Sequence, residues 1–509
     1  MLARIMSYGL SGLIGYPVTV ETDITFGAAV YETVGLPDNA VKESKQRVHS
    51  AIINSGFSFP NVRIVVNLAP ADIRKEGTVY DLPVAVGILA ASGEVPQTAA
   101  QNWMMLGELA LDGSVRGITG VLPMVIDARE RGFTNIILPA ENAREAAVIK
   151  GITVIPVGSL TDAALFLRGS KVIEPQPYSK WRADEHTYDS DFSMIKGQQA
   201  AKRAAEVATA GNHNILLIGT PGSGKTMLAR SIPSILPALT NEEALEITKI
   251  HSIAGVLKGG GLVSEHPFRS PHHSASLPSL VGGGTKALPG EISLAHYGVL
   301  FLDELPEFSR AALEALRQPL EDGFVTVTRA SAKAQYPSDF MLVAAMNPCP
   351  CGNYGSKTTR CRCTQFQIER YRNRISGPLL DRIDLHIEMT EVAYDDLASK
   401  QDGEPSSVVR ERVSNARRVQ RERFKNEGIL FNSQMSALQI KKYCKLDHDA
   451  EKLLEMSFAK LNLSARAYNR LIKVARTISD MAGCATVSGA AIAEALQYRS
   501  LDSKYWGNN

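Results

Sequence analysis

The hydrophobic pattern of this chain changes character near residue 168. Up to that point, apolar runs of strand length alternate with segments of helical period, which predicts an α/β domain over residues 1–168. Residues 169–190 hold two prolines, many polar residues and no period, and are predicted to form a linker. Beyond it, the pattern predicts an α/β core over 191–390 and a helical domain over 391–509. The expected N-terminal strands are 17–23, 62–68, 135–139 and 153–157, and the expected helices are 40–55, 82–91 and 121–130.

An apolar run at residues 214–219 breaks into a glycine-rich turn that ends in Lys225 and Thr226. This spacing is typical of a phosphate-binding loop, because backbone N–H groups can approach phosphates closely only where side chains are small. The lysine would reach the β- and γ-phosphates and the threonine hydroxyl would ligate Mg²⁺. A helix is expected to follow, and its N-terminus favours an anion. The expected ATP-binding residues of this loop are Gly219, Thr220, Pro221, Gly222, Ser223, Gly224, Lys225 and Thr226.

A second apolar run, residues 298–302, ends in the carboxylates Asp303 and Glu304. This pattern is typical of a Walker B strand. Asp303 is expected to hold Mg²⁺ together with Thr226, and Glu304 to polarise the water that attacks the γ-phosphate. Adjacent strand residues point to opposite faces, so Glu304 must lie where the backbone turns away from the strand.

Composition narrows the class of protein. The net charge is only +2, so any nucleic-acid surface must be local. No apolar run approaches a membrane span, and the glycine-interrupted start is expected to be folded protein and not a signal peptide. Six cysteines in 509 residues do not suggest a disulfide framework, and the expected setting is a reducing cytoplasm.

Four of the six cysteines crowd into an insertion at residues 349–363. Two close pairs separated by a turn can supply a tetrahedral Cys₄ zinc site, although Cys-x-Cys is less common there than Cys-x₂-Cys. A structural zinc is favoured over reduced thiols or a redox-sensitive cluster. The expected zinc ligands are Cys349, Cys351, Cys361 and Cys363.

Two polar stretches leave their roles open. Adjacent His272 and His273 are expected to diverge, which favours a surface or pore-loop role over metal binding. Segments 323–329 and 336–345 are predicted to be two strands around a turn at 330–334, with Arg329 and Lys333 near the tip. DNA contact and simple protection of a sheet edge both remain open for these two residues.

A basic segment at 408–426 is predicted to be a helix. A solvated face is favoured slightly over DNA contact for its arginines. The arginines concerned are Arg417, Arg418, Arg421 and Arg423.

Several further motifs resemble AAA+ ATPases. The resemblance implies that Ile195 and Gly197, in Ile-Lys-Gly-Gln, border the adenine, and that Asn347 is a sensor that positions the attacking water from a strand between the two Walker strands. Leu-Leu-Asp-Arg-Ile-Asp at 379–384 resembles the segment that supplies an arginine finger to the neighbouring subunit, which implies this role for Arg382, with Arg374 as competitor. Leu-Ser-Ala-Arg at 463–466 resembles a lid helix, which implies a second sensor role for Arg466.

The N-terminal part resembles the Lon-protease-like domain, which is related to the ribosomal S5 fold. The matching stretches are 35–38, 66–70, 75–83, 107–116 and 137–139. By alignment, the position of the catalytic serine falls near Val79 and that of the lysine near Leu122. Thr78 is nearby, but with no positioned lysine it is expected to be structural. A nucleophile and its base are therefore missing, and a proteolytically inactive domain is expected.

Together these motifs resemble the ComM/YifB group of magnesium-chelatase-like AAA+ proteins. The resemblance implies a homo-hexameric, ATP- and Mg²⁺-dependent helicase or branch-migration motor on single-stranded or branched DNA, active in natural transformation and recombination alongside recombination proteins. Three alternatives stay open: a magnesium-chelatase motor subunit, an ATP-dependent protease, and a regulatory ATPase ring that remodels a protein partner.

Overall fold

Alternation of buried and less buried residues builds the N-terminal sheet. Along Arg63–Ala69 every second side chain is buried, as expected for a strand with one face on the core. The sheet has seven strands and mixes parallel with antiparallel pairs. In spatial order these are Tyr31–Val34, Arg63–Ala69, Ile14–Thr25, Leu2–Ser11, Met104–Met105, Asn135–Pro139 and Thr153–Val157. Its helices are Asn39–Asn54, Asp81–Ala91, Gln97–Ala100, Val121–Glu130, Ala143–Ala146 and Leu160–Leu167, and Glu108–Leu109 pairs with Val115–Arg116 in a small hairpin.

The computed structural model describes residues 1–181, 188, 190–257, 259–284, 287–328, 333–356, 358–392, 403–461 and 464–506. None of the helices in this part of the chain has the length and apolar composition that a membrane span requires.

The predicted N-terminal strands and helices are confirmed, but the sequence did not indicate the strand Leu2–Ser11. Its glycines look like interruptions of an apolar run. Gly9 is instead needed for packing, because a Cβ there would lie 2.5 Å from atoms of both Tyr16 and Tyr80. The glycine lets two tyrosine rings approach the backbone of a central strand.

Continuous apolar runs form a second, all-parallel sheet of five strands. All residues of Ile215–Gly219 and Met341–Met346 are buried, as expected for strands covered on both faces. In spatial order the strands are Phe268–Arg269, Val299–Leu302, Met341–Met346, Ile215–Gly219 and Leu385–Met389. Because all five run the same way, their carboxyl ends meet at one edge and their amino ends at the other.

Short elements surround this sheet. The helices are Gln199–Gly211, Lys225–Ser231, Asn241–Ala254, Leu277–Val281, Glu291–Leu294, Arg310–Ala315, Arg317–Asp322, Gln365–Arg372 and Gly377–Leu380. Single 3₁₀ turns lie at Phe192–Met194, Ile232–Ile235 and Leu305–Glu307, and Gly282–Gly283 pairs with Leu288–Pro289.

The predicted hairpin after Walker B is present with a different second strand. Phe324–Thr328 pairs with Lys333–Pro337. The expected strand at 336–345 is wrong, because this range contains the end of the hairpin and most of a separate strand, Met341–Met346. Lys333 begins the second strand opposite Thr328, not in the turn. Arg329 lies outside the described residues.

Helices make up the described C-terminal region. They are Ser406–Phe424, Ala437–Tyr443, His448–Leu461, Ala465–Met481, Gly489–Gln497 and Leu501–Trp506, with a 3₁₀ turn at Asn432–Gln434. The expectation of a solvated basic face fails for two arginines of the first helix. Arg417 is buried and donates to the Thr209 carbonyl at 3.1 and 2.7 Å, and Arg423 pairs with the buried Asp480. Arg417 attaches its helix to Gln199–Gly211, whereas Arg423 joins it to the C-terminal helix Ala465–Met481. Both side chains are therefore engaged inside the protein and do not form a solvated face.

The N-terminal part contacts the helix Asn241–Ala254 through a buried carboxylate. Glu145 is 5% exposed and accepts hydrogen bonds from the Leu122 amide, at 3.0 Å, and from the Ser252 hydroxyl. Burial raises the pKa of Glu145. At a second contact, a Cβ on Gly12 would lie 3.3 Å from the Cβ of Ala334, in the hairpin after Walker B. The N-terminal part therefore contacts both the helix Asn241–Ala254 and the hairpin that contains Ala334.

Replacing Arg417 with alanine should destabilise the protein, because the Thr209 carbonyl would lose its donor inside the core. A hydrogen bond from a charged donor contributes about 1.5–3 kcal/mol, so the denaturation midpoint should fall clearly. Arg418→Ala removes the same side chain from an exposed position of the same helix and should change stability by less than about 0.5 kcal/mol. Equal midpoints for the two variants in thermal or urea denaturation would contradict the buried role of Arg417.

Candidate nucleotide-binding site

The glycine-rich loop lies between the strand Ile215–Gly219 and the helix Lys225–Ser231, as the motif predicts. Gly222 and Gly224 have φ of 80° and 91°, which side chains with a Cβ rarely adopt. Gly219 is required by space, since a Cβ there would lie 2.4 Å from the Met389 carbonyl oxygen. The loop is consequently held against the neighbouring strand Leu385–Met389.

Lys225 points back into the loop. Its Nζ donates to the carbonyl oxygens of Gly219 and Thr220, at 2.7 and 2.9 Å, and to Asn347 Oδ1 at 3.3 Å. The residue is only 8% exposed. Burial lowers its pKa, while the nearby charges of Asp303 and Glu304 act in the opposite direction. An anionic phosphate would stabilise this partly desolvated ammonium group.

Thr226 and Asp303 bring the loop and the second apolar strand together. The Thr226 hydroxyl donates to Asp303 Oδ2 at 3.0 Å. A hydroxyl and a carboxylate oxygen are ligands that Mg²⁺ accepts beside phosphate oxygens. The donor set at this point fits the expected magnesium ion.

Glu304 lies at a sharp turn directly after the strand Val299–Leu302. Its φ is 51°, and its amide donates to Asp303 Oδ1 at 2.9 Å. The side chain is 53% exposed and its Oε2 lies 3.4 Å from His273 Nδ1. The turn that separates the two carboxylates is the one expected from the strand geometry.

His273 is a residue whose contact the sequence did not reveal. Its ring lies 4.0 Å from that of His272, centroid to centroid, so the two side chains run together and the expectation that they diverge is wrong. The only signal in the sequence is position: His273 follows Phe268–Arg269 by four residues, and this strand pairs with Val299–Leu302. The imidazole is placed to orient the Glu304 carboxylate.

Asn347 follows the strand Met341–Met346, which pairs with Ile215–Gly219 on one side and Val299–Leu302 on the other. The strand order brings its amide to the same edge as the glycine-rich loop. Lys225 donates to this amide, so the expected sensor lies within the candidate site.

The segment expected to border the adenine also contacts the glycine-rich loop. Ile195 is 3% exposed and packs in the core, and Gly197 has φ of 60°. Gln198 donates to the carbonyl oxygens of Ser223, at 3.1 Å, and Thr390, at 2.6 Å. The segment thus links the loop to the end of Leu385–Met389.

Arg382 and Arg466 lie away from the glycine-rich loop and the residues around it. Arg382 comes three residues before Leu385–Met389 and its carbonyl accepts from Asn214, which precedes Ile215–Gly219. Arg382 therefore lies at the amino edge of the sheet, roughly 13 Å of strand away from the glycine-rich loop. Arg466 lies near the same edge, because it lines one cavity together with Asn214 and Arg382. Both line a cavity of about 700 Å³ that Arg470 and Lys473 also line.

The side chain of Arg382 is held at this edge. It donates to the Pro378 carbonyl at 2.7 Å and to the Glu321 carboxylate, and this pairing lowers the pKa of Glu321. Arg374, the competitor, instead pairs with Glu307 at 2.6 Å, just after the second apolar strand. Only Arg382 shares the cavity with Arg466.

The four clustered cysteines form a compact sulfur site. All four Sγ atoms lie within 4.8 Å of one another, and the Cys349–Cys351 and Cys349–Cys361 separations are 3.4 and 3.6 Å. A tetrahedral zinc with bonds of about 2.3 Å places its sulfurs about 3.8 Å apart, whereas a disulfide requires about 2 Å. Backbone hydrogen bonds lower the pKa of the Cys351 thiol to about 6. The arrangement fits a shared divalent cation better than disulfides.

Family profiles cover most of the chain. The profile described as "Magnesium chelatase, subunit ChlI" matches residues 191–397. "Subunit ChlI of Mg-chelatase" matches residues 20–142, and "Magnesium chelatase, subunit ChlI C-terminal" matches 403–499.

Full-length relatives are also found. The chain is 44% identical to the protein YifB of Salmonella typhimurium over 504 residues, covering 98% of this chain and 97% of that protein. It is 43% identical to the competence protein ComM of Haemophilus influenzae over 507 residues, 98% of each chain. It is 44% identical to YifB of Escherichia coli over 494 residues, 96% of each.

Glu304→Gln should preserve nucleotide binding and lower turnover by about 10²–10⁴-fold, since a general base contributes about that much. Binding is measured with a fluorescent ATP analogue and turnover by phosphate release. Glu307→Gln makes the same change three residues on, at a carboxylate paired with Arg374, and should keep most of the turnover. Undiminished hydrolysis by Glu304→Gln would exclude this residue as the base.

Proposed function

The chain belongs to the ComM/YifB family of magnesium-chelatase-like proteins, and on that premise we propose that it is an ATP-driven DNA motor. It hydrolyses ATP in a homo-hexameric ring and moves single-stranded or branched DNA as a helicase or branch-migration enzyme. The name of the relative ComM, a competence protein, supports a role in natural transformation and recombination, with recombination proteins as partners. The cytoplasm is the proposed location.

Within one subunit, the carboxyl edge of the parallel sheet binds and activates ATP. Lys225 pairs with the β- and γ-phosphates, and Thr226 and Asp303 would hold Mg²⁺. Bound Mg²⁺ neutralises phosphate charge and orients the oxygens. Glu304 accepts a proton from the attacking water, and Asn347 helps to position that water. Ile195, Gly197 and Gln198 border the adenine of ATP.

Arg382 and Arg466 serve the ATP of a neighbouring subunit. The observation that carries the ring proposal is their position at the amino edge, opposite the glycine-rich loop of their own chain. A guanidinium must contact the γ-phosphate to stabilise the charge that develops there. Side chains separated from their own loop by a strand length can do this only for an adjacent subunit.

The remaining regions have supporting roles. We divide the chain into a Lon-protease-like domain of S5 fold over residues 1–168, a linker over 169–190, an ATPase core over 191–390 and a helical lid over 391–509. The positions of the protease serine and lysine fall near Val79 and Leu122, so the N-terminal domain is proposed to bind or assemble and not to cleave peptides. The hairpin Phe324–Thr328 with Lys333–Pro337 is the proposed DNA-contacting element, through Arg329 and Lys333.

The sulfur cluster is proposed to hold a structural zinc. Cys349, Cys351, Cys361 and Cys363 would supply a complete Cys₄ set. A closed set leaves no coordination position for substrate, so this metal stabilises a loop and is not a Lewis acid in the hydrolysis step.

Steady-state ATP hydrolysis with and without DNA tests the motor proposal. Hydrolysis should rise with single-stranded or four-way-junction DNA, and the stimulation should weaken as salt increases, because phosphate contacts release counterions. A protein substrate such as casein and a porphyrin are the matched comparisons. Stimulation by either of these and not by DNA would contradict the proposal and favour a remodelling ATPase or a chelatase.

A further inference from the structure

The four-cysteine loop, residues 349–363, packs directly on the glycine-rich loop. Its Gly352 has φ of 82°, and a Cβ there would lie 2.6 Å from Cδ and 2.7 Å from Cγ of Pro221. The same Cβ would lie 4.0 Å from Cγ of Asn347. The backbone of the cysteine loop therefore packs against Pro221 of the glycine-rich loop with no space left for a side chain, and the expected sensor Asn347 lies close by.

A second contact reaches the other side of the nucleotide site. The Ser356 hydroxyl donates to Glu391 Oε1 at 2.5 Å, and the Thr358 hydroxyl donates to Oε2 of the same carboxylate at 3.0 Å. Glu391 follows Thr390, whose carbonyl accepts from Gln198. Gln198 in turn donates to Ser223 of the glycine-rich loop. The cysteine loop thus has two links to the nucleotide site: a direct one from Gly352 to Pro221, and an indirect one from Ser356 and Thr358 through Glu391.

The base of the cysteine loop is anchored in the core. Arg372 is 5% exposed, donates to the Pro348 carbonyl at 3.3 Å and lies between the rings of Tyr354 and Tyr505, at 5.0 and 4.5 Å. By contrast, the described residues of 349–363 contain no helix or strand that would set the shape of the loop itself. Among the described residues of the loop, the sulfur cluster is therefore the main contact between the arm that carries Cys349 and Cys351 and the arm that carries Cys361 and Cys363.

We propose that zinc bound by the four cysteines sets the glycine-rich loop for ATP, through the contact of Gly352 with Pro221. This inference rests on the proposed nucleotide and zinc sites and adds a coupling between them. Metal loss releases the arms of the loop and removes the surface against which Pro221 packs. Because coupling between two binding sites is reciprocal, ATP strengthens zinc binding by the same factor.

The first test uses the full-length wild-type protein with zinc and after removal of zinc by a zinc-selective chelator, with Mg²⁺ present throughout. Zinc content is measured by mass spectrometry, and affinity by titration with a fluorescent, slowly hydrolysed ATP analogue. The zinc-free protein should bind the analogue at least about 10-fold more weakly, which corresponds to about 1.4 kcal/mol of coupling, within the usual range. Adding Zn²⁺ should restore the affinity, and the analogue should slow zinc transfer to the chelator.

The second test changes the contact and leaves the metal in place. Gly352→Ala and Gly355→Ala both place a Cβ on a residue with φ of 82°, so they carry similar backbone strain. Only position 352 faces Pro221, since a Cβ at Gly355 would meet nothing within 4 Å. Gly352→Ala should retain zinc and weaken the analogue at least about 10-fold relative to Gly355→Ala, the range expected for site coupling.

Each result has a distinct meaning. Equal analogue affinity with and without zinc, or in the two glycine variants, overturns the inference, as does the absence of bound zinc in protein that binds the analogue. The chelation experiment needs no substitution, so misfolding of Gly352→Ala would not remove the test. Neither measurement involves DNA, and failure of the motor proposal would therefore appear separately.

Discussion

The two ends of a parallel sheet are chemically different, and this difference organises the ATPase part of the protein. Since all five strands run in one direction, their carboxyl ends collect the glycine-rich loop, Asp303 and Asn347 at a single edge. The amino edge collects Arg382 and Arg466. At this amino edge Asn214, which precedes Ile215–Gly219, donates to the Arg382 carbonyl. This separation supports the proposal that one subunit presents half of a site at each edge.

The cavity that Arg382 and Arg466 line contains paired charges. Arg382 is held by Glu321, and Arg470 lies 3.4 Å from Asp381. Such pairing keeps cationic groups oriented in the absence of a neighbour, at the cost of competition with an incoming phosphate. In the proposed ring, a nucleotide bound across an interface would draw Arg382 from its carboxylate, and assembly and catalysis would then be linked through this side chain.

Features carried by contiguous residues were predictable from the sequence, whereas contacts that depend on strand order were not. The turn at Glu304 follows from the alternation of side chains along one strand, and the sulfur cluster follows from two close cysteine pairs. His273 meets Glu304, and Gly352 meets Pro221, only because particular strands are neighbours in the folded sheet. Likewise, the composition of the helix Ser406–Phe424 indicated a basic face, but the burial of Arg417 depends on the helix that covers it. The Arg329 prediction lies outside the described residues.

A mixing experiment tests the shared site most directly. Arg382→Ala subunits and Glu304→Gln subunits should each hydrolyse ATP poorly alone. In rings formed at equal ratio, about a quarter of the interfaces combine an intact Glu304 site with an intact Arg382 from the neighbour, so hydrolysis should recover toward about that fraction of the wild-type rate. Full activity of Arg382→Ala alone, or no recovery in mixed rings of confirmed composition, would contradict an arginine that acts on the adjacent subunit.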